Sequence, residues 1–278
     1  MRGLPPGTIL QLLYLKERLQ RRAPGRFIEI GPGGGEITQL LLDCGWSGSS
    51  FDLGPETIAD LGERFQKEIA EQRFTPVNTD YLNAAIGEKV DLVISCMVME
   101  HLEGDVESAF MAKSAACLKP DGIMMGLVPA SPAHWGIEDD IAGHCRRYTR
   151  DSINRLVGAS SWSLLHLTGL TFPVSNLLLP VSNFLVARSE KHKLAHSALE
   201  RTEQSGRRSV KYKTYFPSIL GILLNPVTLF PLHQIQKLLG NSPRALVLFF
   251  EAKPELAIDS PTGKAAPLVD IYTSIAPR

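Results

Sequence analysis

The residues best placed to do chemistry begin with Phe27-Ile28-Glu29-Ile30-Gly31-Pro32-Gly33-Gly34-Gly35-Glu36, an acid two positions ahead of Gly31, Gly33 and Gly35. Glycines spaced in this way let the backbone turn sharply and lie against a ligand with no Cβ in between. Amide donors at the start of the following helix then favour electron-rich ligand groups. The pattern is E-x-G-x-G-x-G. A dinucleotide fingerprint, G-x-G-x-x-G, would need glycine where Glu36 stands. Asp52, in Asp52-Leu53, follows Gly31 by 21 positions, close to the roughly 20 that bring an acid to the end of the next strand. There a carboxylate can accept both hydroxyls of a ribose. A second reading makes Asp52 a cap for the helix opened by Pro55-Glu56-Thr57-Ile58, although Gly54 is the nearer cap. Asp80, before Tyr81, is a third strand-end acid, with an ordinary turn as its alternative.

Proton transfer has two candidates. His101 follows the apolar run Val90 to Met99 in the segment Cys96-Met97-Val98-Met99-Glu100-His101-Leu102. An imidazole there titrates near neutral pH and can take a proton, or it orients the loop and caps the next helix. His144 is its rival, in a long segment from Pro132 to Tyr148 that also carries Trp135, Glu138, Asp139 and Arg147. A connection so rich in polar and aromatic residues suits a binding loop. Arg147 can grip a phosphate or carboxylate with two hydrogen bonds, or one of the arginines pairs with Glu138 or Asp139 to brace the loop.

These residues need a frame that brings strand ends to one edge. Arg26–Ile30, Ser49–Leu53, the segment Phe74–Tyr81 (a strand followed by the acid Asp80), the run opening at Val90 and the one ending at Val128 read as strands alternating with helices, so the class is α/β with a parallel, doubly wound sheet. In such sheets ligands sit beyond the carboxyl ends of the strands. Arg147–Val157 reads as a further helix with Thr149 as its cap, Trp162–Thr171 as a sixth strand and Arg244–Lys253 as a seventh. An amphipathic helix over Thr8–Arg22 leads the chain, with Tyr14 on its apolar side as either a cleft residue or a packing aromatic.

Four segments in this order resemble the class I S-adenosylmethionine-dependent methyltransferases. They are the glycine turn with Glu29, the acid Asp52, the glutamate-histidine-leucine after the fourth strand, and Lys119-Pro120-Asp121-Gly122 before the fifth. The run Gly143-His144-Cys145-Arg146-Arg147-Tyr148 is similar to a segment of the type 11 and type 12 small-molecule methyltransferases. The resemblance implies a Rossmann-like seven-stranded sheet whose last strand is antiparallel, with S-adenosyl-L-methionine as cofactor. It implies cofactor contacts at Glu29, Gly31, Gly33, Gly35, Asp52, Leu53, Asp80, Tyr81, Cys96 and Met97. His101 and His144 become the catalytic candidates, and Tyr14, Trp135, Arg147 and Tyr148 the acceptor candidates. Methylation of oxygen on a sugar, lipid-linked or secondary-metabolite acceptor is the expected reaction. Nitrogen or carbon methylation, or a non-catalytic cofactor-binding subunit, are the alternatives.

The chain has 278 residues, with 29 basic and 29 acidic side chains. That balance argues against nucleic acid as a partner. Its four cysteines are scattered without metal-ligand spacing, so no metal is expected from them, and a reducing cytoplasm is the expected compartment. No signal peptide is legible at the N-terminus. The departure from the family lies at 174–243, between the last two strands, where two apolar runs flank a basic stretch. The methyltransferase domain is then 1–173 with 244–254, and 255–278 is a tail. Prolines and asparagines interrupt both runs below the roughly 20 residues of a membrane span. The insert has three readings: a helical cap over the acceptor pocket, a surface for the inner membrane face or a lipid substrate, or a homodimer contact.

Overall fold

In a computed structural model the described residues are 3–190 and 216–255. Most of the basic stretch of the insert and nearly all of the tail lie outside them. Seven strands form one sheet: β1 (Arg26–Ile30), β2 (Ser47–Asp52), β3 (Phe74–Asn78), β4 (Val90–Cys96), β5 (Leu118–Pro129), β6 (Trp162–Leu170) and β7 (Val247–Pro254). Their order is β3-β2-β1-β4-β5-β7-β6. The first five run parallel, and β7 lies antiparallel between β5 and β6. The reversal of order beside β1 leaves a crevice between the ends of β1 and β4, which is where open sheets take ligands.

The helices are α1 (Pro6–Leu19), α2 (Glu36–Asp43), α3 (Pro55–Arg64), α4 (Gln66–Ala70), α5 (Asp105–Cys117), α6 (Ile137–Ala142), α7 (Arg150–Ala159), α8 (Val174–Glu190) and α9 (Phe230–Leu238). Both faces of the sheet are covered, so the central strands are apolar throughout. Ile28, Val93, Met124 and Phe250 pack on one face. Phe27, Leu92, Met125 and Phe249 pack on the other. Each such side chain contributes roughly 1.5–3 kcal/mol by leaving water. Thr149 caps α7 as its sequence suggests, its hydroxyl accepting from the Ser152 amide at 3.1 Å.

Two expectations need correction. The segment 132–148 is not a plain loop, because it contains α6. That helix starts where Asp139 accepts the Gly136 amide at 2.9 Å, and three acids in its first turn complement the helix dipole. Tyr14 is a packing residue: its ring meets Phe249 edge-on and its hydroxyl lies 2.7 Å from His166 Nε2, inside the core.

Helix α1 is fixed to the last strand by Arg18, which donates Nε and Nη2 to the buried Glu251 carboxylate, both at 2.7 Å. The described part of the insert is anchored too. Gln236 of α9 donates to the Leu10 carbonyl and accepts the Thr171 amide, both at 2.9 Å. On α8, Ser182 donates to Glu138 of α6. Among the described residues no helix is long and apolar enough to cross a membrane.

Candidate active site

A cleft of about 1890 Å³ runs along the carboxyl ends of β1, β2, β4 and β5. One end is built on β1 and β2. Gly31 and Gly33 take φ of +68° and +52° and line the cleft. A Cβ on Gly31 would collide with Val98, so the turn needs glycine for space as well as for conformation. Gly35, with φ of +82°, sits at the start of α2 against Leu61 and Phe65. Behind the turn, Glu29 is buried and its Oε2 accepts two hydroxyls, from Thr38 at 2.6 Å and Ser50 at 2.5 Å. Burial lifts its pKa to about 7 even though both donors favour the charged form.

Asp52 lies at the end of β2 and borders the cleft with Leu53. Its Oδ1 accepts the Gly54 amide at 2.8 Å, which leaves Oδ2 outside that bond. Burial raises its pKa and the Gly54 amide opposes the rise. Asp80 also borders the cleft while serving its own turn, accepting Leu82 N at 3.0 Å and Asn83 Nδ2 at 2.7 Å. Tyr81 reaches the cleft margin, but its hydroxyl is turned into the core, 3.3 Å from Ser114 Oγ. Cys96 and Met97 form the rim at the end of β4, and Met97 takes φ of +53°, a strained conformation for a side chain of its size.

The other end joins the turn after β4 to the segment after β5. Cys145 donates its amide to the Glu100 carbonyl at 2.9 Å. The Tyr148 hydroxyl, buried, lies 3.0 Å from the Met99 carbonyl and 2.5 Å from Glu107 Oε1. With the two segments locked together, the His101 and His144 rings meet edge-to-face, centroids 4.9 Å apart. Nδ1 of His101 is 3.3 Å from the Gly143 carbonyl. Burial, then the neighbouring His144, push the His101 pKa down to about 4. Nδ1 of His144 lies 2.8 Å from Asp139 Oδ1, and its Nε2 lies 3.6 Å from Glu100 Oε1. Burial works to raise the Asp139 pKa, but hydrogen bonds from His144 and Arg147 outweigh it and hold the group below the usual range. Glu100 is fully buried, and burial raises its pKa to about 8.

Of the acceptor candidates, Arg147 alone borders the cleft. Its Nε donates to Asp139 at 2.8 Å and its Nη1 to the Ala130 carbonyl at 3.0 Å, so it braces the loop as well. Trp135 faces outward and donates to Asp140 at 2.9 Å. Tyr148 is a buried strut rather than a lining residue. Two cleft side chains lie outside the residues that the sequence singles out as catalytic candidates: Glu100, beside His101, and Asp139, behind His144. An acid next to a histidine was the signal for Glu100. Opposite the polar ends, the cleft wall is apolar, with Leu12 of α1, Leu178 and Leu185 of α8, and Leu220 and Leu224 beyond it.

A family model described as a methyltransferase domain matches residues 8–167, more than half of the chain. The ubiquinone biosynthesis O-methyltransferase of Paramagnetospirillum magneticum (strain ATCC 700264 / AMB-1) is 34% identical over 116 residues, covering 40% of this chain and 43% of that protein. The chain thus spans less than half the length of this curated relative. Among solved structures, the glycopeptide N-methyltransferase MtfA superposes with a TM-score of 0.52 at 12% identity, covering 89% of this chain and 90% of that one. Its complex with S-adenosyl-L-methionine gives 0.51 at 14% identity, covering 88% and 87%.

Proposed function

The chain belongs to this methyltransferase family and is an S-adenosylmethionine-dependent enzyme, and we propose that it methylates an oxygen of a small-molecule acceptor. The observation that carries this reading is the convergence of Glu100, His101 and His144 in the same cleft as the Gly31–Gly33 turn, Asp52 and Asp80. Methyl transfer from a sulfonium is an in-line displacement. The protein must align acceptor and methyl and, for a hydroxyl, dispose of a proton. A neutral amine needs no such group, so a buried cluster of two imidazoles and a carboxyl favours oxygen over nitrogen. The name of the curated relative, an O-methyltransferase of ubiquinone biosynthesis, supports the same choice.

The apolar wall suits an acceptor with a hydrocarbon portion. It continues outward on α8 to Leu177 and Phe184, 76% and 65% exposed. An acceptor presented from a membrane surface would enter along that face. With a hydroxyl acceptor, His144→Ala should keep binding S-adenosylhomocysteine and lose most turnover. Full turnover in both His144→Ala and His101→Ala would refute the cluster's role. For the surface, Leu177→Asp with Phe184→Asp should reduce flotation with anionic vesicles, and equal flotation would rule the membrane contact out.

A further inference from the structure

The geometry points to a divalent metal site at Glu100, His101 and His144, taking a transition ion of the zinc class through one carboxylate and two imidazoles. One ligand atom from each of the three residues lies within 4.8 Å of the others. The Glu100–His144 separation of 3.6 Å is close to the roughly 3.4 Å between neighbouring donors on a tetrahedral ion with bonds of about 2.0–2.1 Å. The His101 donor, within 4.8 Å of the other two, supplies the third position.

Two features independent of that clustering support the site. Glu100 is 0% exposed, and among the described residues its carboxyl oxygens accept no hydrogen bond from another side chain; only its own backbone amide and, at 3.6 Å, His144 stand near them. A buried carboxyl left this way costs free energy unless a cation meets it. The imidazoles, for their part, are already oriented as metal ligands are. Each has Nδ1 directed at an acceptor, His144 at the Asp139 carboxylate (2.8 Å) and His101 at the Gly143 carbonyl (3.3 Å). At His144 that arrangement puts the proton on Nδ1 and turns Nε2 towards Glu100, the usual outer-shell pattern around a bound ion. Two imidazoles and one carboxylate suit zinc, manganese or iron(II) better than magnesium or calcium.

Binding of the ion stands apart from the transfer reaction, while its catalytic use rests on the methyltransferase reading above. With three protein ligands, a fourth position opens to the cleft and takes the acceptor hydroxyl. The ion lowers the pKa of that hydroxyl, which gives its proton to water. The oxygen then forms a bond to the methyl carbon as the carbon–sulfur bond breaks, and the electron pair stays on sulfur in S-adenosylhomocysteine.

The full-length protein, stripped with chelator, should be titrated calorimetrically with zinc, manganese and magnesium chlorides, and with cobalt(II) for its visible d–d bands. One saturable zinc or manganese site is expected, with cobalt bands of a nitrogen and oxygen environment. Binding should weaken at least about 100-fold in Glu100→Gln and in His144→Ala, and roughly 10–100-fold in Asp139→Asn. Cys145→Ser, which removes the neighbouring thiol, should bind as the wild type does. Circular dichroism and S-adenosylhomocysteine binding confirm that each variant is folded. No saturable binding, equal binding in Glu100→Gln and His144→Ala, or loss of binding in Cys145→Ser would overturn the site. Methyl transfer that persists without metal yet is lost in His144→Ala would overturn the ion's catalytic use and leave the methyltransferase reading intact.

Discussion

Replacing Glu29 by Gln should stabilise the ligand-free protein at alkaline pH while weakening its hold on the cofactor. The carboxyl is buried behind the glycine turn, and its pKa stands at about 7 against an ordinary 4.5. An acid whose pKa is raised by folding binds its proton more tightly in the folded state. Its favourable contribution is therefore complete below pH 4.5 and is lost as pH rises towards 7. Over that window the wild type should lose roughly 3 kcal/mol, at 1.36 kcal/mol per unit. Both hydroxyl donors, Thr38 and Ser50, meet the single oxygen Oε2. The one carbonyl oxygen of glutamine can keep both bonds, so the substitution removes the charge and little else. Denaturant unfolding at pH 5 and pH 8 reads the difference. The variant should gain about 2.5 kcal/mol on the wild type between the two, or roughly 5 °C in melting temperature for a chain of this size.

A second arm of the same experiment tests the ligand. If the carboxylate meets the ammonium of S-adenosylmethionine, binding near pH 6 must expel most of a proton from Glu29. Calorimetry in two buffers of different ionisation enthalpy should find close to one proton released per wild-type complex, and much less with Glu29→Gln. A stability difference that does not change between pH 5 and pH 8 would refute the burial argument. Equal proton release would refute the contact.

Three further outcomes are expected. Asp52→Asn removes a charged acceptor at the end of β2 and should weaken S-adenosylhomocysteine binding roughly 10–100-fold, about 1.5–3 kcal/mol, by calorimetry, without lowering the melting temperature. Gly31→Ala meets Val98 and holds a side chain at φ +68°, so it should abolish cofactor binding. Adding Val98→Ala should restore part of it, leaving a backbone penalty of about 1–2 kcal/mol. Arg18→Ala strands the carboxylate of Glu251, which is 1% exposed. It should cost about 3 kcal/mol in denaturant unfolding, the low end for a broken buried pair because Arg22 stays 3.6 Å away.

The parallel half of the sheet was legible because its strands are covered on both faces. Val90–Cys96 and Ile123–Val128 are apolar at nearly every position, a pattern that an alternating, half-exposed strand does not produce. The glycine turn was legible for a different reason, since space and backbone conformation both exclude a side chain at Gly31. Helix α6 was hidden by its length of six residues, too short for apolar periodicity, although Glu138, Asp139 and Asp140 signalled a helix start. Tyr14 was ambiguous because an apolar stripe on α1 says which side packs but not whether a cleft or a core lies beneath it.

The glycine-turn end and the histidine end of the cleft differ in how they are encoded. Glu29, Asp52 and Gly31 are tied by local spacing, because each stands at the end of a strand whose neighbours are fixed by the parallel order. The histidine cluster joins residues more than forty positions apart, and nothing in either segment alone announces the other. What unites them is a set of backbone and hydroxyl bonds: Cys145 to the Glu100 carbonyl, Tyr148 to Met99 and Glu107, and Arg146 to Glu107 and the Leu102 carbonyl, both at 2.7 Å. The tyrosine and first arginine of the Arg-Arg-Tyr run thus act as struts, and the second arginine holds Asp139 behind His144. Residues chosen from the sequence as contacts for an acceptor serve mainly to hold the imidazoles still. A cluster held this rigidly around a buried carboxyl is better suited to grip an ion or a developing charge than to follow a mobile substrate.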